Sequence, residues 1–183
     1  PMPLPLIEIW NQKGIPVRQG YGLTEVGPNL TSLHQDDAML KRGSIGRPNF
    51  YVETRISDEQ GQVCPANQPG ELWLRGPMVT HGYWSNPAAT EKAFAPGDWF
   101  RTGDLVRQDE DGYLYVVDRI KNMFISGGEN VYPAEIERVM ISHSAVGEVA
   151  VVGVPDEKWG EVGQAFVVKK GNTNLDEIAL LDF

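Results

Sequence analysis

The sequence predicts a mixed α/β protein of the α+β kind, with a β-rich middle. Three observations predict it. Tyr51–Ser57 and Gly70–Gly76 alternate apolar and polar residues with period two, the mark of half-buried strands. Residues 4–13 and 134–141 repeat apolar side chains at helical spacing. Val149 to Val154 is a short apolar run that fits a buried strand.

Taken in order, Leu6, Ile7 and Trp10 form the packing face of a first helix, with Gly14 as its stop. Val17–Tyr21 reads as a short buried strand running into Gln19–Glu25, QGYGLTE. Asp36, Asp37, Lys41 and Arg42 read as a solvated charge cluster, and Gly43–Pro48 as a loop into the β-rich region. Gly70–Gly76 sets Leu72 and Leu74 on one face and Glu71, Trp73 and Arg75 on the other. Asn86 caps a short helix that Pro87 opens and Phe94 ends. Trp99–Thr102 is a strand, Asp109–Gly112 (DEDG) a solvated hairpin turn, and Tyr113–Val117 the returning strand. Pro133 opens a helix whose Ile136, Val139 and Met140 pack into a core. Gln164–Lys169 is a further strand, and Leu175–Leu181 begins a last helix.

Composition narrows the function classes. The chain has 183 residues, 41% hydrophobic and 22% charged, ordinary for a globular protein with a real core. No disulfide or metal staple is required for a core of this size. A net charge of −9 repels phosphate backbones and argues against a nucleic-acid partner. It leaves small anions open, because they respond to their local site. The single cysteine, Cys64, admits no intramolecular disulfide and fits a reducing, cytoplasmic compartment. With no His near it in sequence, Cys64 reads as a loop thiol sooner than a nucleophile. His34, His81 and His143 are scattered, without ligand spacing. No run is long enough to span a membrane and no signal segment opens the chain; PMPLPLIEIW reads as a helix cut into.

Two stretches carry chemistry. In QGYGLTE, Gly20 and Gly22 allow a sharp turn and close approach of a ligand. Tyr21 offers a face for a base, Thr24 a hydroxyl for a phosphate oxygen, and Glu25 a hard carboxylate for Mg²⁺. Alone, the motif reads sooner as a turn whose Tyr packs into the core. The second stretch, Trp99–Pro133, contains Gly103-Asp104, Asp118-Arg119 and Ser126-Gly127-Gly128. A carboxylate such as Asp104, placed at a strand end, accepts both hydroxyls of a ribose, or satisfies a turn amide. Arg119 is a planar donor fork for ribose or phosphate, or an ion-pair partner of Asp118 or Asp109. Ser126-Gly127-Gly128 is a smooth backbone wall, or a loop before the helix.

Together, and with ISGGENVYPAEIE at Ile125–Glu137, these motifs resemble the adenylate-forming superfamily: acyl-CoA synthetases, firefly luciferase and the adenylation domains of peptide synthetases. The wording is most similar to fatty-acyl-CoA synthetases. The resemblance implies the C-terminal portion of the large AMP-binding domain at residues 1–120 and a truncated small α+β domain at 121–183, with the hinge at Lys121. It implies an ATP-dependent acyl-CoA ligase using ATP, Mg²⁺ and coenzyme A on a carboxylic acid, a fatty acid by overall similarity. Tyr21 and Gly22 would line adenine, Thr24 and Glu25 would serve phosphate and metal, and Asp104 and Arg119 would hold ribose. Ser126, Gly127, Gly128 and Trp159 would line the CoA path. Residues just past Glu25, within Val26–Leu33, would help line the acyl pocket.

Two family features have no match. No Gly/Ser/Thr-rich phosphate loop is present, and Lys169-Lys170 stand too early and in the wrong order for the family's catalytic lysine. The expectation is therefore a piece of a longer ligase, inactive alone and prone to self-association through uncovered apolar surface. The alternatives are an adenylation domain that loads a carrier protein and a non-catalytic binding module.

Overall fold

The computed structural model describes every residue except Pro1, Asn172 and Asn174. The chain divides between Val116 and Val117 into two compact units.

The first unit opens with α1 (Leu4–Gln12), started by the prolines around Leu4 and ended before Gly14, whose φ of 74° suits glycine. Its apolar face is only partly covered. Ile7 is buried, while Leu6 and Trp10, expected to pack, are both 39% exposed. Three strands follow as an antiparallel sheet in the order β1 (Gly20–Leu23), β2 (Gly27–Ser32), β3 (Arg47–Pro48). The buried strand expected over Val17–Tyr21 is displaced and not buried. Strand β1 begins at Gly20 and alternates exposed with half-buried residues, because it is an edge strand paired only with β2. The buried residues lie further on, at Val26, Leu30, Thr31 and Leu33.

The second sheet of this unit runs β4 (Glu53–Ser57), β5 (Gly70–Arg75), then β7 beside β6. Helix α2 (Pro87–Ala93) precedes β6 (Phe94–Ala95), and β7 is the ten-residue strand Trp99–Gln108. Strand β8 (Leu114–Arg119) pairs with β7. Asn86 caps α2 as expected, its side chain accepting from Ala89 N at 3.1 Å. The one-sided alternation expected of β5 does not hold. Leu72 and Leu74 are fully buried, and Glu71 and Trp73 on the opposite face are 8% exposed. That second face is covered by Arg101 and by the turn at Gly61, which lies against Trp73.

The main core joins Val26, Leu30, Ile45, Ile56, Leu72, Leu74, Phe100, Val106 and Leu114. The Gly43–Pro48 loop is part of it. Ser44 is buried and donates to the Leu114 carbonyl at 2.8 Å. Gly46 has φ 88°, and a Cβ there would lie 2.0 Å from the Ser32 carbonyl group, so no other residue fits.

The charges at 36–42 and in DEDG are not simply solvated. Lys41 Nζ lies 2.8 Å from Asp109 and 2.6 Å from Asp111, clamping the β7–β8 hairpin, and Asp37 accepts from Tyr113 Oη at 2.7 Å. The sequence places these partners some 70 residues apart, so local patterning could not pair them.

The second unit has a four-stranded antiparallel sheet in the order β10 (Glu129–Val131), β9 (Phe124–Ser126), β12 (Gly160–Lys169), β11 (Val146–Asp156). Helix α3 (Pro133–Met140) packs on β11, and α4 (Glu177–Leu181) follows β12. Two expectations change here. Strand β11 is buried on one face only, at Val146 and Val151; Val152 on the other face is 43% exposed, and Phe166 and Val168 on the same face of β12 are each 56% exposed. Val139 on α3 is 56% exposed and does not join a core. One layer of helix covers one side of this sheet, so an apolar run is not by itself proof of double burial.

Candidate functional site

The candidate residues fall into two groups, one in each unit.

In the first unit, Tyr21 and Gly22 lie on β1 and Thr24 and Glu25 in the turn to β2. Gly22 cannot carry a side chain. A Cβ there would sit 2.6 Å from the Gly27 carbonyl oxygen and 2.9 Å from Pro28 Cα. The tight β1–β2 crossing therefore requires glycine whether or not a ligand approaches. Thr24 is exposed. Glu25 is half-buried, and its Oε1 accepts from Tyr83 Oη at 3.0 Å. No described residue donates to Glu25 Oε2.

Asp104 is not at a strand end. It lies inside β7, 4% exposed, at a break in register where Glu71 faces Leu105 but Trp73 faces Arg101. Three residues of β7 thus oppose one of β5, a bulge that re-aims the local side chains. Gly103, with φ 71°, supplies the left-handed backbone step. The bulge is pinned by Glu71, whose carboxylate accepts from Trp73 Nε1 at 2.8 Å, Arg101 Nε at 3.0 Å and Gly103 N at 3.1 Å. Thr102 Oγ1 donates to the Leu72 carbonyl and accepts from Asp104 N. The Asp104 carboxylate then meets β1. Tyr21 Oη donates to Asp104 Oδ2 at 2.5 Å, joining two motifs 83 residues apart.

In the second unit, Arg119 ends β8, exposed, and Lys121 lies exposed in the turn Ile120–Asn122. Asp118, 6% exposed, is an organising acceptor. It takes Arg119 N at 2.7 Å, Asn122 Nδ2 at 3.2 Å and Ala134 N, at the start of α3, at 2.9 Å. Ser126, Gly127 and Gly128 do not form a loop leading into the helix. They make the β9–β10 hairpin, with φ 58° at Gly127 and 90° at Gly128, the two-residue turn that glycines favour. Trp159 covers that turn. Gly127 N donates to the Trp159 carbonyl at 2.9 Å, and a Cβ on Gly127 would lie 2.7 Å from the indole. The indole stays 49% exposed, with Lys158 Nζ 4.5 Å above it.

Sequence reasoning passed over Glu71 and Tyr83. Glu71 was read as one polar residue of an alternating strand, and Tyr83 lies in a segment without a recognisable pattern. A carboxylate flanked by Trp and Leu in GELWLRG was the available signal for Glu71. Cys64 is half-buried against the core, and burial first, then Asp58, pushes its thiol up from the ordinary value. That disfavours thiolate chemistry. Among the described residues no three His, Cys, Asp or Glu side chains gather as a metal site, and no helix is long and apolar enough to cross a membrane.

The chain is similar to known proteins in both sequence and fold. A family model of AMP-binding enzymes matches residues 1–84, and the model of the AMP-binding enzyme C-terminal domain matches residues 135–182. The chain belongs to the adenylate-forming, AMP-binding enzyme family. It is 48% identical over 178 residues to a 2-succinylbenzoate–CoA ligase of Bacillus cereus (strain Q1), covering 97% of this chain and 37% of that relative. Among solved structures it is similar to o-succinylbenzoate coenzyme A synthetase (MenE) of Bacillus subtilis. In its complex with AMP the TM-score is 0.90 at 42% identity, covering all of this chain and 37% of the other. In its complex with ATP and magnesium ion the TM-score is 0.88 at 42% identity, covering 97% and 37%. The chain thus spans little more than a third of the length of these relatives. The expected likeness to fatty-acyl-CoA synthetases is corrected: these relatives are named for 2-succinylbenzoate. The tract that carried that likeness, ISGGENVYPAEIE, forms the end of β9, the glycine hairpin, β10 and the first turns of α3.

Proposed function

We propose that this chain is the nucleotide- and thiol-handling portion of an ATP-dependent acyl-CoA ligase whose acid resembles 2-succinylbenzoate, an aromatic ring with one carboxylate attached directly and a second at the end of a keto side chain. The observation that carries the reading is the pairing of Tyr21 with Asp104, which brings the YGLTE turn and the GD bulge together in one unit. In the reaction a substrate carboxylate attacks the α-phosphorus of ATP, forming an acyl-adenylate and releasing pyrophosphate. The CoA thiol then attacks the acyl carbon and AMP leaves.

In this reading Tyr21 and Gly22 flank the adenine, and Asp104, its carboxylate oriented by the Tyr21 hydroxyl, accepts from the ribose. Arg119 is a donor fork suited to the ribose of the nucleotide. Thr24 offers its hydroxyl to a phosphate oxygen. Glu25 presents Oε2, a hard oxygen with no described protein donor, and this fits a Mg²⁺ ion shared with the phosphates. Magnesium there would neutralise phosphate charge. Ser126, Gly127 and Gly128 present backbone to the amide-bearing arm of CoA, with Trp159 beside them as an aromatic surface. Lys121 is the hinge between the two half-reactions, separating residues 1–120 from 121–183. A cytoplasmic location and self-association through the uncovered face of α1 belong to the same proposal. So does low activity of this chain alone, since no lysine matches the family's catalytic one.

Calorimetric titration of the chain with AMP, beside an Asp104→Ala variant of unchanged circular dichroism, tests the reading. Saturable binding lost in the variant is expected. Equal binding by both proteins overturns the assignment of Asp104 to the ribose.

A further inference from the structure

The segment between β5 and α2 carries no motif, yet it holds the Glu25 turn at two points. Thr80 N donates to the Glu25 carbonyl at 2.7 Å, and Tyr83 Oη donates to Glu25 Oε1 at 3.0 Å. One bond fixes the backbone of the turn and the other fixes its carboxylate.

The segment is itself pinned. Thr80 Oγ1 donates to the Gly82 carbonyl at 3.0 Å and accepts from Gly82 N at 3.3 Å. Thr90 Oγ1 on α2 accepts from Tyr83 N at 2.9 Å and donates to the Asn86 carbonyl at 3.0 Å. Gly82 has φ 147°, and a Cβ there would lie 2.6 Å from Thr90 Cγ2, so the strap lies close on the helix. Asn86 caps α2 in turn. The chain of contacts runs from the helix cap through Thr90 to the Tyr83 main chain and from its phenol to Glu25.

A half-buried glutamate in a turn otherwise has several staggered rotamers open to it. With Oε1 engaged by the phenol, the carboxylate is held in one orientation, and Oε2 is the oxygen to which no described residue donates. Groups that orient a metal ligand in this way typically change metal affinity by about 10–100-fold.

We infer that Tyr83 is a positioning residue for Glu25: its phenol takes one carboxylate oxygen and presents the other to the divalent cation of a metal–nucleotide. The inference rests on the reading of Glu25 as a metal ligand and adds the residue that orients it. Tyr83 is 39% exposed, so removal of its hydroxyl leaves the packing of the fold in place.

The test uses Mn²⁺–ATP as the probe, followed by the enhancement of water-proton relaxation when it binds the chain, with metal-free ATP titrated separately in chelator. Wild type, Tyr83→Phe, Glu25→Gln and the double variant are compared. Tyr83→Phe is expected to weaken Mn²⁺–ATP binding about tenfold, leave metal-free ATP binding unchanged, and add nothing in the Glu25→Gln background. A purely structural role would weaken both ligands alike and overturns the inference. Tyr83→Phe matching wild type while Glu25→Gln loses the metal preference also overturns it, and leaves the reading of Glu25 standing. Glu25→Gln matching wild type, or wild type showing no protein-bound Mn²⁺–ATP, overturns the metal reading and the inference together.

Discussion

The phenol of Tyr21 donates to Oδ2 of Asp104 at 2.5 Å, although the two residues stand 83 positions apart. The acceptor is a nearly buried carboxylate, and hydrogen bonds to charged groups contribute about 1.5–3 kcal/mol. Tyr21→Phe keeps the ring and removes the donor. It is expected to lower unfolding stability by about 1.5–3 kcal/mol, read as a lower urea midpoint at unchanged slope. An unchanged midpoint would show that the pairing contributes nothing.

Glu71 holds the bulge from which Asp104 projects. Its carboxylate serves an indole, a guanidinium and the Gly103 amide at once. Glu71→Ala removes the acceptor of the buried Trp73 indole and of the half-buried Gly103 amide and is expected to cost about 2 kcal/mol. It should also weaken AMP binding, because Gly103 loses the bond that sets the backbone next to Asp104. Loss of stability with full AMP affinity would separate the bulge from the site.

The two glycines of the β9–β10 hairpin differ. Both have positive φ, so Ala at either position meets the left-handed penalty of about 1–2 kcal/mol. At Gly128 nothing lies within 4 Å of an added Cβ, whereas at Gly127 the Trp159 indole lies at 2.7 Å. Gly127→Ala should therefore destabilise more than Gly128→Ala and shift the tryptophan emission. Removing the obstacle with Trp159→Ala should bring the two glycine substitutions to the same cost, as measured in a double-mutant cycle. Equal costs in the wild-type background would mean that the indole moves aside freely.

Lys41 ties the β7–β8 hairpin to the Gly43–Pro48 loop. Burial alone would raise the Asp109 carboxyl, but the Lys41 ammonium and the Tyr113 amide outweigh it and hold it below the ordinary value. Its bonds to Asp109 and then Asp111 hold the Lys41 ammonium above the usual lysine range. A depressed carboxyl stabilises above its unfolded value of about 3.9 and loses that contribution as pH falls through the folded value. A raised lysine stabilises below about 10.4 and loses its contribution as pH rises through the folded value. Lys41→Met is therefore expected to lower the urea midpoint at neutral pH. The gap to wild type should narrow below about pH 4 and again above about pH 10. A gap constant across that range would assign the effect of Lys41 to packing alone.

Much of the fold was readable in the sequence, and the reason is local. Asn86-Pro87 announces a capped helix because capping and a fixed φ are properties of neighbouring residues. DEDG announces a hairpin, and Gly127-Gly128 a departure from ordinary backbone, for the same reason. The motif set announces the family because its residues keep their order and spacing along the chain.

What sequence could not supply was partnership at a distance and the contents of the space beside each strand. Period-two alternation described β5 as one-sided, and only the packed unit shows Glu71 and Trp73 buried beneath Arg101 and Gly61. An apolar run described β11 as doubly buried, and one face of it lies open. Gly103-Asp104 announced a turn, yet the long strand β7 runs through it as a bulge held by Glu71.

By itself the sequence determined the family, most of the order of elements, and the residue types of the candidate site. The tertiary structure alone decided that Tyr21 meets Asp104, that Tyr83 meets Glu25 and that Trp159 covers Gly127. Backbone preferences act over a few residues and leave their signal in local spacing. A hydrogen bond between side chains remote in sequence exists only once packing has brought their backbones together, so no local pattern encodes it.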